Sequence, residues 1–160
     1  MMNISIIAVG KIKEKYMADF CAEYAKRLSP YCKLRILELE SIRLPENPGD
    51  KEIENTLAKE AKMIKEKIES GSYVISLCIE GKKLDSKGLA DKIEKTGIDG
   101  CSHICFIIGS SFGLSDEIKE KSDMLLSMSD MTFPHKLARI MLLEQIYRAF
   151  SINNNGKYHK

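Results

Sequence analysis

Leu125–Phe150, LLSMSDMTFPHKLARIMLLEQIYRAF, is the stretch that decides the fold. Leu125 and Leu126 close a short apolar run that reads as the end of a strand. Ser127–Phe133 is a small-polar loop with Met128 and Met131 set in it. Pro134 then starts a long helix: its missing N–H costs nothing in a first turn, and its fixed φ suits the helix. Strand, polar loop and helix N-terminus in succession form the arrangement at which open α/β sheets bind ligands. The helix carries Leu137, Ile140, Met141, Leu142, Leu143, Ile146, Tyr147 and Phe150. These cover far more than one stripe, and a helix apolar on most sides must be buried on most sides. A central core position meets that need. So does a place between its own sheet and a second subunit.

Strand and helix alternate through the rest of the chain. Ile4–Val9 is a buried strand ending at Gly10, and Lys11, Lys13 and Lys15 follow. Glu14–Leu28 is an amphipathic helix with Tyr16, Phe20, Tyr24 and Leu28 every four residues, stopped by Ser29-Pro30. Lys33–Leu39 is a second strand and 41–49 a proline-containing loop. Asp50 is expected to cap a helix with Ile53, Leu57, Ala61, Ile64 and Ile68 inward, ending near Gly71. Tyr73–Ile79 is a third strand that Gly81 ends. Ser86–Thr96 is a short helix, Ser102–Ile108 a fourth strand, Asp116–Lys121 a helix capped by Ser115, and Met124–Ser127 a fifth strand. Near-continuous apolar strands alternating with helices mean an α/β fold with a mostly parallel sheet covered by helices on both faces.

A chain of 160 residues reads as one domain spanning 1–160. Its 44% hydrophobic and 30% charged content is that of an ordinary globular protein, and no apolar run approaches membrane-span length. The N-terminus lacks the pattern of a secretory signal. Five cysteines, an odd number without a C-x-x-C pair, suit a reducing compartment, so a cytoplasmic location is expected. Cys101, His103 and Cys105 alternate along one strand face, but a fourth ligand is missing and the chain there enters a buried run. No metal is expected. A net charge of +2 neither demands nor excludes nucleic acid, because clustering decides.

The loops after Leu77, after Ile108 and from Ser127 to Phe133 all follow strand C-termini and are expected to converge. Gly109-Ser110-Ser111-Phe112-Gly113 is neither a Walker A loop nor a full dinucleotide fingerprint. It offers close backbone approach and free N–H groups. There is no catalytic-triad spacing, no paired-carboxylate site and no HExxH, and the only histidines are His103, His135 and His159. That favours chemistry carried by a cofactor, with the protein supplying position.

Ile107-Ile108-Gly109, Phe112-Gly113-Leu114-Ser115, Leu126-Ser127-Met128-Ser129, Met131-Thr132-Phe133-Pro134-His135, Glu144-Gln145-x-Tyr147-Arg148-Ala149 and Tyr158-His159 together resemble the RlmH family. These are SPOUT-class 23S rRNA pseudouridine-N3 methyltransferases. The resemblance runs from Ala8-Val9-Gly10-Lys11 to the last residue. Its most specific part is Met131–His135 combined with Tyr158-His159. Members carry a second glycine after the one matching Gly109; Ser110 stands here instead, so a stiffer loop is expected.

The resemblance implies a deep C-terminal trefoil knot that holds S-adenosylmethionine, a homodimer, and 23S rRNA in the ribosome as substrate. It implies that Leu77, Gly109, Met128, Ser129, Asp130, Met131, Thr132 and Phe133 line the cofactor pocket. An adenine needs an apolar slot plus backbone donors and acceptors, which Leu77, Met128 and Met131 beside exposed loop backbone provide. The plainer reading of both methionines is gap-filling core.

Methyl transfer to pseudouridine N3 is helped by loss of its proton, so a nearby cation or base is useful. Arg148, Tyr158 and His159 are the candidates. Arg148 equally suits an i, i+4 ion pair with Glu144. His135 reads as a loop-packing or hydrogen-bonding residue. The polar tail from Asn153 reads either as a frayed terminus or as aromatics among cations that stack on a splayed base. A non-catalytic RNA-binding module of the same fold is the alternative function.

Overall fold

The computed structural model describes Met1 to Lys160. Strands and helices alternate as β1 (Met2–Val9), α1 (Lys15–Leu28), β2 (Cys32–Leu39), α2 (Asp50–Lys67), β3 (Tyr73–Lys83), α3 (Ser86–Ile98), β4 (His103–Ile108), α4 (Asp116–Lys121), β5 (Met124–Ser127) and α5 (His135–Asn153). The strands form one sheet in the order β2-β1-β4-β3-β5, and every pairing is parallel.

The two-residue period of the strands splits their apolar side chains between two layers. Ile4, Ile6 and Ala8 of β1 share one core with Leu28, Leu89, Ile93, Leu142 and Ile146 from α1, α3 and α5. Ile7 and Val9 share the other with Ala61, Ile64 and Ile118 from α2 and α4. Connections that step one way along the sheet carry α1 and α3 on the first face. Those that step the other way carry α2 and α4 on the second. Reversing both direction and face keeps a single hand, as parallel crossovers require. All five strands therefore point their C-terminal ends to the same edge.

Some local expectations shift. Pro134 is the N-cap of α5 (φ −54°, ψ 140°), not its first residue, and its carbonyl accepts from Ala138 N–H at 2.9 Å. Asp50 is the first residue of α2, and Gly49 is the cap, its N–H donating to Glu52 Oε1 at 3.3 Å. The stripe on α1 is only partly inward: Leu28 is buried, but Tyr16 is 64% and Phe20 55% exposed. The core beneath α1 ends near Tyr24, so the first two turns project beyond it.

Gly81 does not end β3. The strand pairs Leu77 with Leu126, and after a register break pairs Lys82 with Leu126 again. Between these pairings Gly81 lies against the Leu125–Leu126 peptide, where a Cβ would sit 2.7 Å from the Leu125 carbonyl carbon. Any other residue would push β5 away. The glycine that reads as a strand stop sits in a bulge of β3, packed on the β5 backbone.

The tail is not frayed. Asn155 at φ 55° and a Gly156 N–H to Ser151 carbonyl bond of 2.7 Å turn the chain back along α5. That return places the Tyr158 ring edge-on to Tyr147, with centroids 4.8 Å apart. No helix is long and apolar enough to cross a membrane.

Candidate active site

At the C-terminal edge of the sheet the second half of β3 and the segments after β4 and β5 line a cavity of about 740 Å³. Leu77, Gly109, Met128, Ser129, Met131, Thr132 and Phe133 line it. Asp130 does not: it turns outward, and both its oxygens accept from Lys83 Nζ at 2.6 Å. The loop 128–133 keeps most of its peptide groups free, although the Ser129 carbonyl accepts from Ser127 Oγ at 3.0 Å. Among its N–H groups only that of Met131 is bonded within the chain, to Ser129 Oγ at 3.0 Å. Unpaired donors and acceptors facing an apolar slot suit a flat heteroaromatic ligand.

Gly109 serves the loop before any ligand. A Cβ there would lie 2.3 Å from the Gly113 carbonyl oxygen. Gly113 N–H donates to Ser110 carbonyl at 2.9 Å, closing the turn that carries Phe112. A larger residue at 109 breaks this turn as well as narrowing the cavity. Ser110 donates through Oγ to Glu60 Oε1 at 2.9 Å. That bond ties the loop to α2. Glu60 is 2% exposed, and burial raises its carboxyl pKa against the opposing bonds from Ser110 and the Ile42 N–H.

His135 lines the cavity from the first position of α5. Burial, then the charges of Lys136 and Arg139, lower its pKa, so the imidazole is neutral at pH 7. Behind it Arg139, 2% exposed, pairs with Glu38 and donates to the Gly10 carbonyl at 2.9 Å. Glu38 also accepts from Ile12 N–H at 2.9 Å, and Lys136 pairs with Glu14. The lysine-bearing loop after β1 is thus fixed to the start of α5, beside the cavity.

Arg148, Tyr158 and His159 gather elsewhere. Arg148 Nε donates to Glu144 Oε1 at 3.0 Å, so the i, i+4 pair forms. Arg148 Nη1 lies 3.2 Å from His159 Nδ1. The Tyr158 hydroxyl donates to Glu144 Oε1 at 3.0 Å, and its ring lies under the Arg148 guanidinium at 4.6 Å. The hydrogen bond with Tyr24, then burial and Glu144, push the Tyr158 phenol well up, so it stays protonated. This cluster is more than three turns along α5 from His135, roughly 20 Å at about 1.5 Å per residue. Within one chain it does not meet the cavity.

Cys101, His103 and Cys105 do not converge. His103 Nε2 lies 2.7 Å from Ser5 Oγ and its Nδ1 3.0 Å from Glu69 Oε2, while Cys101 Sγ donates to main-chain carbonyls. Sequence reasoning missed Glu80 and Lys119, both on the cavity wall, and the Arg139–Glu38 and Glu60–Ser110 ties. The signal for Glu80 was its place just past a strand end. The ties join residues distant in the chain, and nothing local marks them.

A family described as "Predicted SPOUT methyltransferase" matches residues 2–159. A relative from Clostridioides difficile (strain 630), "Ribosomal RNA large subunit methyltransferase H", is 54% identical over 99% of this chain and 100% of its own length. A "Putative ribosomal RNA large subunit methyltransferase H" from Methanococcus vannielii is 54% identical over the same shares. Among solved structures, a probable methylase family protein from Haemophilus influenzae Rd KW20 aligns with a TM-score of 0.56 at 16% identity. That alignment covers 99% of this chain and 71% of the other, a likeness of fold.

Proposed function

This chain belongs to the SPOUT methyltransferase family, and we propose that it methylates N3 of a pseudouridine in 23S rRNA with S-adenosylmethionine as donor. The observation that carries the reading is the convergence of three segments at the C-terminal edge of the sheet on one cavity, with most N–H groups of the loop 128–133 unbonded. Leu77, Met128 and Met131 would hold the adenine, with the peptide groups of 128–133 as its polar partners. S-adenosylmethionine supplies a methyl already activated on a sulfonium. The chain's own residues then have to place the acceptor in line, exclude water and manage one proton.

The proton is the acceptor's. Pseudouridine N3 is nucleophilic once its N–H is lost, and the resulting imide anion needs donors. Arg148 and His159 have N–H groups to supply them, and Tyr158, whose one O–H is on Glu144 and whose ring lies under the guanidinium, holds Arg148 in place. Arg148 is always charged and Tyr158 keeps its proton. With Arg148 donating to Nδ1, neutral His159 carries its hydrogen on Nε2. We assign these residues to stabilising the anion, with the N3 proton released to bulk water before the methyl is transferred.

The cluster's distance from its own cavity supports a twofold homodimer in which each tail serves the partner's cavity. Tyr16 and Phe20 on α1 and Leu137 on α5 are exposed apolar side chains that such a contact would cover. The family's C-terminal trefoil knot is part of the same reading. Lys11, Lys13 and Lys15, held beside the cavity, are assigned to rRNA phosphates. We place the whole chain as one domain acting in the cytoplasm, on rRNA in the ribosome.

Mass mapping of 23S rRNA from cells with and without the gene tests the reading. One pseudouridine should lose a single methyl in the knockout and regain it on complementation. An unchanged methylation map, with RNA binding retained, would leave a non-catalytic RNA-binding module instead.

A further inference from the structure

The cavity wall is apolar side chains, hydroxyls and peptide groups, with two formally charged exceptions. These are Glu80, near the end of β3, and Lys119, on α4. Lys119 Nζ lies 2.5 Å from Glu80 Oε1, and the two side chains are 24% and 55% exposed. Neither is bonded to any other side chain. A half-exposed pair of this kind adds little to stability. Its place on a ligand cavity calls for another account.

We propose that Glu80 and Lys119 form the subsite for the α-amino-acid end of the methyl donor, with the donor's carboxylate on Lys119 and its ammonium on Glu80. The proposal rests on the reading of S-adenosylmethionine above. That molecule has an adenosine end and a zwitterionic end, which call for different partners. The apolar slot and free peptides suit the first. The second needs one cation and one anion close together, because its own charges sit on one carbon atom. A contacting lysine–glutamate pair has that spacing and no net charge. Admitting the zwitterion opens one ion pair and makes two, so no uncompensated charge is left in the wall. The hydrogen bond from Lys119 lowers the Glu80 carboxyl, and Glu80 raises the lysine, so both are charged across the neutral range.

The test is calorimetric and needs no turnover. S-adenosylhomocysteine carries the amino-acid end; 5′-methylthioadenosine has the same adenosine and thioether without it. Each is titrated into the intact wild-type protein and into Lys119→Met, Lys119→Arg and Glu80→Gln. Lys119→Met should weaken S-adenosylhomocysteine about tenfold or more, the scale of a lost charge-assisted bond, and leave methylthioadenosine within about twofold. Glu80→Gln should weaken the first ligand several-fold and spare the second, and Lys119→Arg should retain both. If Lys119→Met fails to fold, Glu80→Gln carries the comparison alone. Equal losses for both ligands would mean that the pair only braces α4 or serves the ribose, and would overturn the subsite. So would no change for either. If wild-type protein binds neither ligand, the donor assignment itself falls, which is a separate result from a pair that fails to discriminate.

Discussion

Arg139 Nη2 donates to the Gly10 carbonyl at 2.9 Å, so the end of the first strand is tied to the first turns of the last helix. The same guanidinium pairs with Glu38 from β2, and its Nε is a buried donor without a protein partner. Removing it leaves a carboxylate, a carbonyl and two loops without their shared anchor. Arg139→Met should cost about 3 kcal/mol in urea unfolding. Arg139→Lys should recover less than half, because one ammonium cannot span both acceptors. Hydrogen exchange should show Gly10 to Glu14 opening first, with the rest of β1 still protected.

Glu60 makes stability depend on pH in the less common direction. Its carboxyl is buried among Ser110 Oγ and the Ile42 N–H with no cation, and burial raises its pKa. The folded pKa lies above the unfolded value of about 4.3. This group's contribution is therefore fully present below that value and is lost as pH rises through the folded pKa. Glu60→Gln should be no more stable than the parent at pH 4 and more stable at pH 8. Urea midpoints at the two pH values give the answer, and a difference of opposite sign refutes the assignment.

Phe20 on α1 is 55% exposed, and Leu137 on α5 is 37% exposed. Phe20→Glu would place a charge at the proposed contact between copies. It should raise the dimer dissociation constant by on the order of a hundredfold or more, while the monomer still folds. Sedimentation at micromolar concentration should find dimer for the parent and monomer for the variant. A parent that sediments as a monomer removes the dimer and the shared site together.

The shared site also predicts complementation. Gly109→Val is a poor tool for it, because the Gly113 carbonyl at 2.3 Å makes any side chain at 109 a loop-breaking change. Ala138→Phe fills the cavity from α5 without touching that turn. Neither Ala138→Phe nor deletion of 158–160 should methylate rRNA alone. Mixed subunits should recover about a quarter of wild-type activity, because half the dimers are mixed and each has one sound site. Verified heterodimers without activity would place each site within one chain.

The strands were legible because parallel strands buried on both faces read as continuous apolar runs, and β1, β4 and the first half of β3 are such runs. Their order was not, since periodicity says nothing about neighbours. Gly81 misled because a glycine at a strand end and a glycine in a strand bulge look alike in one dimension. Tyr16 and Phe20 have helical spacing, but spacing cannot say which body covers the stripe. The segments around the cavity were visible from their position after strand ends and from the family resemblance. Asp130, inside the same loop, turns outward because Lys83 holds it there, a contact between residues far apart in the chain. Glu80 and Lys119 look like ordinary surface charges until the sheet edge brings them together.

The contact of Gly81 with the Leu125–Leu126 peptide also sets a timetable for synthesis. When residue 121 has been added, β3 still has no neighbour on its outer side, and the segment around Gly81 has nothing to rest on. The cavity has two of its three walls and no floor. Everything that completes it lies in the last quarter of the chain. A nascent chain stopped early is therefore released with a bare parallel edge strand, the template on which chains aggregate. A truncation that reaches β5 therefore does more than lower stability by degrees: it removes the loop 128–133 from the cavity and leaves an adhesive remnant.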